Sequence, residues 1–297
     1  MIYGLRNCFL LLMLFTVVVT AQHMTYESIS NASLTGFQDI PGPINLRNGL
    51  WKGNPSAVGS SERPSVMLIK ELIISGDVDG DGENDGAVFV ISSTGGSGSQ
   101  VSAALFKRRD TSFVNSEIMP IGERVQIFDA AIDSGGMVKI TLVRAGEGDG
   151  MCCPGEIVQR RWRWNGSKMK ELPPMNLGRL SLASLEGEQW RLESWKSGEP
   201  VDTNTAVSLR ISGGRMSGRS ACNQFFASVK DGLIPGDLTV SGAGATKMMC
   251  SPELMRTEDR FLRMLPSIVH FRFVFSKLHV EYEDHGNRNE LIFRRDP

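Results

Sequence analysis

The chain is short of the residues that most site chemistries need. It holds 4 histidines and 5 cysteines in 297 residues. No two cysteines form a Cys-x-x-Cys pair, and His23, His270, His279 and His285 stand at no metal-ligand spacing. Finger-type zinc sites and thioredoxin-type motifs are thereby excluded, and a hydrolase has no local nucleophile or base to offer. Charge of one sign is also missing. Lys+Arg number 32 against 33 Asp+Glu, a formal net charge of −1, so nothing draws the chain toward nucleic acid. After the first twenty or so residues no apolar run approaches the roughly 17–25 residues that a membrane helix needs. Long helical periods are scarce as well, while 32 glycines and 13 prolines punctuate short apolar runs, the pattern of strands joined by turns.

What is present begins with an export signal. Arg6 precedes the apolar run Phe9 to Val19, and Val19-Thr20-Ala21 forms a small-residue cleavage site before Gln22, the layout of a secretory leader over residues 1–21. Cys8 lies before the apolar run and is therefore not a lipid-carrying cysteine. The expectation is a Sec-type signal and a periplasmic or secreted mature protein with no stable membrane span. The alternative is an uncleaved leader that anchors the chain in the inner membrane.

The remainder reads as two β-rich modules, 22–175 and 185–297, joined by a linker at 176–184 where Leu172-Pro173-Pro174 interrupts the strand pattern. In the first, runs such as Val66–Leu68, Ala87–Ile91, Val101–Phe106 and Val138–Val143 alternate with Gly, Asp, Asn and Ser clusters. Antiparallel sheet is expected. In the second, Gln189–Trp195, Ala206–Ile211 and Arg215–Gly218 read as strands, and one strong helix follows Cys250. Ser251 suits its N-cap, Pro252 its first position and Glu253 its positive end, and Pro266 stops it. Leu254, Phe261 and Leu265 share one face of that helix. Val269, Phe271, Phe273 and Phe275 then alternate as the buried side of a strand. The fold class is α+β, mostly antiparallel β, the C-terminal module being a curled antiparallel sheet with one packed helix.

Two segments of the second module carry a resemblance. Gly218-Arg219-Ser220-Ala221-Cys222-Asn223 and Ala245-Thr246-Lys247-Met248-Met249-Cys250, followed by Glu258-Asp259-Arg260-Phe261-Leu262, resemble the META domain family of HslJ-type heat-shock proteins over about two-fifths of the chain. That family often has glycine where Ala221 stands. The resemblance implies an exported or envelope-attached protein associated with stress or drug tolerance, and it brings no catalytic residues. Through the acidic loop Asp77–Asp85, the Gly95-Gly96-Ser97-Gly98 turn and Ala103-Ala104-Leu105, the first module is more loosely similar to a domain of unassigned function found ahead of META domains. Apart from any family, Cys222 and Cys250 can close a loop of under thirty residues in an oxidising compartment, a bridge worth about 3–4 kcal/mol in the loop-entropy picture. Buried free thiols are the alternative. Asn223 reads as a turn residue bonding its own backbone.

The first module offers two candidate sites. Asp77, Asp79, Asp81 and Asp85 occupy positions 1, 3, 5 and 9 of a short loop, with Gly82 at position 6 and Glu83 at position 7 to offer its backbone carbonyl, a spacing suited to calcium. Val88 stands at position 12 between strand-like flanks, which excludes an EF-hand and leaves a strand-loop-strand calcium site or a solvated Asp-Gly turn. Cys152 and Cys153 are adjacent, and a bond between them closes a small, readily reduced ring. Thr94-Gly95-Gly96-Ser97-Gly98-Ser99 lacks the Lys-Ser/Thr ending of a phosphate loop and reads as a hairpin tip. Trp162 and Trp164 share a strand face with Arg161 and Arg163 opposite, as core or as a stacking surface. The expected function is a non-enzymatic envelope protein that binds an envelope protein or cell-wall component. The alternative is a thiol-redox protein acting through Cys152–Cys153.

Overall fold

The computed structural model describes residues 23–55, 62–150, 152–195, 198–202 and 205–296. The expected leader, 1–21, and Cys8 lie outside them.

The chain enters through a short helix α1 (Tyr26–Ile29) and a small pair β1 (Ser33–Leu34) and β2 (Ile44–Asn45). A five-stranded antiparallel sheet follows in the order β3 (Leu50–Lys52), β4 (Ser65–Gly76), β5 (Asp85–Ser93), β6 (Gln100–Arg109), β7 (Ser112–Glu123). Four more strands, β8 (Gln126–Ile132), β9 (Val138–Arg144), β10 (Glu156–Trp164) and β11 (Met169–Arg179), form a second antiparallel sheet. Side chains alternate across a strand, so a strand apolar on both parities must be covered on both faces. β5 is such a strand. Its Val88 and Val90 pack with Ile29, Leu34 and Ile44 of the entering segment, while Ala87 and Phe89 pack with Ile140, Leu142 and Trp162 of the second sheet.

The Pro-Pro pair does not end the module. Leu172-Pro173-Pro174 lies inside β11, which pairs with β10 as far as Glu156↔Arg179 through register shifts. β11 is the outer strand of its sheet and Pro173 and Pro174 fall at a register shift, both of them places where prolines do not break the hydrogen-bond ladder. Residues 176–184, expected as the linker, therefore hold the end of β11 and the start of a 3-10 turn, Leu182–Leu185.

The C-terminal module is a nine-stranded antiparallel sheet. Its strands are β12 (Gln189–Trp195), β13 (Glu199–Pro200), β14 (Ser208–Ser212), β15 (Arg215–Arg219), β16 (Gln224–Asp231), β17 (Leu238–Ala245), β18 (Ile268–Val274), β19 (Lys277–Asp284) and β20 (Asn287–Arg295). The order is β17-β16-β15-β14-β12-β20-β19-β18, with β13 on β12. The sheet curls until its ends approach, and the Asp237↔His270 bridge joins them. Helix α2 (Pro252–Met264) lies across the core with Phe261 edge-on to Phe225, 5.1 Å between ring centres. Ser251 caps it and Pro252 opens it, as its sequence requires.

Phe275 departs from the expected alternation. β18 ends at Val274, which pairs with Lys277, and the two residues between them turn with φ of 47° at Phe275 and 64° at Ser276. A two-residue hairpin connection of type I′ takes left-handed backbone at both positions, so this turn is strained for non-glycine residues. The phenyl ring packs instead into the first module, 6.0 Å from Phe89. Beside it the Ser276 amide donates to the Ile127 carbonyl, the Phe273 amide donates to Gln126 Oε1, and Arg295 reaches Asp129 at 3.1 Å. The two modules are thus docked through the β18–β19 hairpin.

Candidate functional site

In the acidic loop, one oxygen each of Asp77, Asp79 and Asp85 lie within 4.8 Å of one another. The four aspartates expected as ligands, and the Glu83 side chain beside them, already have partners. Asp77 accepts from the amides of Gly80 (2.7 Å) and Gly82 (3.0 Å), and both glycines sit at positive φ. Asp85 is fully buried and accepts from the amides of Val78 and Arg108. Asp79 takes the Lys107 ammonium at 2.6 Å, while Glu83 faces Arg108 and Asp81 faces Arg109. Lys107 in turn lies 3.3 Å from the centre of the Trp164 ring. A buried ammonium between a carboxylate and an aromatic face is electrostatically well held. Burial raises the Asp79 pKa, but the Lys107 hydrogen bond and charge, the Asp81 amide and Arg109 outweigh it, and the carboxyl titrates below its ordinary value. Burial pushes Asp85 upward against the pull of the Arg108 and Val78 amides, with the Asp79 and Asp81 charges adding. Lys107 is 28 residues from Asp79 in sequence, and only the pairing of β5 with β6 brings them together.

The tryptophans are likewise engaged internally. Trp162 is buried in the core, with Arg160 stacked 4.7 Å from its ring centre. Trp164 carries Lys107.

In the C-terminal module the two signature segments meet around one buried carboxylate. Glu258 of α2 is 4% exposed. Its Oε2 accepts from the Asn223 amide (2.7 Å) and the Ser220 hydroxyl (3.0 Å), and its Oε1 from Asn223 Nδ2 (2.9 Å). The Asn223 carbonyl closes its own turn by accepting from the Ser220 amide and hydroxyl, but its side chain does not bond that turn. Its Oδ1 accepts from the Met248 amide (2.7 Å) and the Thr246 hydroxyl (2.8 Å), and its Nδ2 also donates to the Met248 carbonyl. The cause is simple: at 1% exposure the Asn223 side-chain amide needs partners, and the segment 23–25 residues away supplies them. Cys222 and Cys250 are bonded, and Cys222 is 2% exposed. Ala221, where the resemblance expects glycine, holds φ of 89°, a strained conformation for alanine. In the sequence Glu258 stands only as the first residue of the Glu258–Leu262 segment of the resemblance, with no role of its own. With the segment so clamped, Met248 and Met249 stand 57% and 96% exposed beside the disulfide.

The third candidate lies between the modules. The loop from Gly146 to Gly155 is tied at its base by Asp149, which accepts from both of those amides and from Arg179. The Arg179 hydrogen bond, with the Gly146 amide, brings the Asp149 pKa down to about 2. Cys152 and Cys153 are bonded to each other in this loop, Cys152 exposed and Cys153 half-buried. Both line a cavity of about 360 Å³ whose far wall is the C-terminal module, including Ile234, Pro235, His270 and Arg272. His270 Nδ1 lies 2.9 Å from Asp237 Oδ1.

The C-terminal module is thus a curled antiparallel sheet crossed by one helix, with a Cys-Asn turn bridged to a Thr-Lys-Met-Met-Cys segment. The model of the META domain matches residues 183–295. The match covers well under half of the chain and assigns the C-terminal module, rather than the whole protein, to the META domain family. No curated protein matches the chain. A protein solved by NMR is similar at 24% identity over 39% of this chain and 94% of its own, with a TM-score of 0.32. Another NMR structure, from Burkholderia xenovorans, is similar at 21% identity over 39% of this chain and 86% of its own, with a TM-score of 0.31.

Proposed function

We propose that this chain is an exported, non-enzymatic cell-envelope protein whose META domain, docked on a β-rich module, is a binding or structural unit linked to stress or drug tolerance. The observation that supports it most is the Cys222–Cys250 bond, buried on its Cys222 side, because such bridges persist in oxidising compartments and are rare in the cytosol. The leader-like segment 1–21 supports the same reading, and the partner is an envelope protein or cell-wall component. Among the described residues no helix is long and apolar enough to cross a membrane. Expression with the native leader, fractionation and mass spectrometry test this. A periplasmic product beginning near Gln22 with Cys222 and Cys250 bridged is expected. A cytosolic product with leader intact and thiols free would overturn it, and a membrane-bound product that keeps its leader would select the anchored form.

Calcium belongs to the same proposal as a staple of the first module. Asp77, Asp79 and Asp85 converge on one point, and a calcium ion there would displace Lys107 from Asp79. Calorimetric titration of the wild type, Asp79→Ala and Lys107→Met is the test. Binding that Asp79→Ala abolishes and Lys107→Met tightens is expected. No heat, with a melting temperature indifferent to calcium and chelator, removes the metal and leaves Lys107 as the loop's counter-ion.

A second reading, thiol–disulfide exchange at Cys152–Cys153, is favoured by one observation: the bond is accessible and lines a cavity.

A further inference from the structure

The β16–β17 turn presents apolar side chains with no core to fill. Leu233 is fully exposed and Ile234 is 45% exposed, and Ile234 lines the same cavity as Cys152 and Cys153. The turn is not loosely held. The Gly232 amide donates to the Asp237 carbonyl, the Asp237 amide donates to the Ile234 carbonyl, and the Phe271 amide donates to the Gly236 carbonyl. Gly236 lies so close to His270 that a Cβ there would come within 2.7 Å of the ring. On the other side Gly155 abuts Pro235, where a Cβ would come within 2.5 Å of its ring. A rigid apolar knob therefore stands beside an accessible disulfide.

Such a pair fits a macromolecular reductant better than a small one, since a small thiol has no use for the apolar knob. We propose that a protein dithiol docks on Leu233 and Ile234 and exchanges with the Cys152–Cys153 bond in the adjoining cavity, an inference that rests on the thiol-exchange reading. One partner sulfur, as thiolate, attacks Sγ of Cys152, the more exposed of the pair. The Cys152–Cys153 bond breaks, a mixed disulfide forms on Cys152, and the electron pair leaves on Cys153, which takes a proton from water. The partner's second thiolate then attacks its own sulfur in the mixed disulfide and releases Cys152, which is protonated in turn. The partner dithiol loses two electrons and two protons and becomes a disulfide, and Cys152 and Cys153 become thiols. Arg272 and Arg288 in the cavity wall favour thiolate, partly offset by Glu281, which pairs with both, and by Asp237 on His270.

The probes are reduced thioredoxin as protein dithiol and dithiothreitol as small dithiol, read by alkylation and mass mapping of the oxidised protein. Thioredoxin is expected to open Cys152–Cys153 well ahead of Cys222–Cys250. The double variant Leu233→Ser with Ile234→Ser should slow thioredoxin about tenfold, the worth of two partly buried aliphatic side chains, and leave the dithiothreitol rate unchanged. Slowing of neither reagent, equal slowing of both, or self-association through these two residues on gel filtration with exchange unaltered, overturns the docking inference while the exchange reading stands. Failure of both reagents to open Cys152–Cys153 in the folded protein overturns the exchange reading and the docking inference with it.

Discussion

Glu258→Ala is expected to destabilise the C-terminal module by roughly 3 kcal/mol, because at least two buried donors lose their acceptor at once. The donors are the Asn223 amide, Asn223 Nδ2 and the Ser220 hydroxyl. Helix propensity cannot account for the loss, since alanine is the best helix former and would by itself favour α2. Glu258→Gln keeps one carbonyl acceptor but turns an NH2 toward a donor, so it should fall between the two. Urea unfolding followed by the tryptophans of the C-terminal module, Trp190 and Trp195, reports the change. A loss below about 1 kcal/mol for Glu258→Ala would mean that water replaces the carboxylate and that the clamp is not what fastens α2 to the Cys-Asn turn.

The consequence extends beyond stability. Glu258 fixes Asn223, Asn223 fixes Thr246 and Met248, and that segment carries the exposed Met248 and Met249. A loosened clamp should therefore give faster amide exchange at 246–249 than at Phe225 or Ala227 of the sheet.

Much of this architecture is legible in the residues because its causes are local. Ser251-Pro252-Glu253 announces the start of α2 by chemistry confined to one turn, and the alternation of Phe271 with Phe273 marks the buried face of β18. Pairing information is of another kind. Nothing near Asp79 predicts Lys107, which arrives from the neighbouring strand, and nothing near Asn223 predicts Glu258, 35 residues on. Pro173 and Pro174 read as an interruption because whether a strand is an edge depends on which strands lie beside it. Phe275 continues the period of its strand in sequence, yet the turn it occupies sends its ring into the other module. The five carboxylates of the acidic loop were found by spacing, but their state depends on cations that spacing does not show.

Replacing Cys222 and Cys250 together by serine is expected to cost about 3–4 kcal/mol, and the mechanism fixes a second signature. The bridge spans 28 positions, so its main effect is to restrict the unfolded chain, and its removal should raise the denaturant m-value as the unfolded state expands. Loss of a folded-state contact alone would lower the midpoint and leave m unchanged. Cys152 and Cys153 supply the internal contrast. Their bond joins neighbours and restrains almost no chain, so Cys152→Ser with Cys153→Ser should leave stability within about 0.5 kcal/mol of the parent. If the two pairs proved equally costly, the division of labour between a structural brace and an exchangeable bond would fail. If neither mattered, the Asn223–Glu258 clamp would be holding the Thr246–Cys250 segment unaided, and the buried bridge would lose its place as the argument for an oxidising compartment.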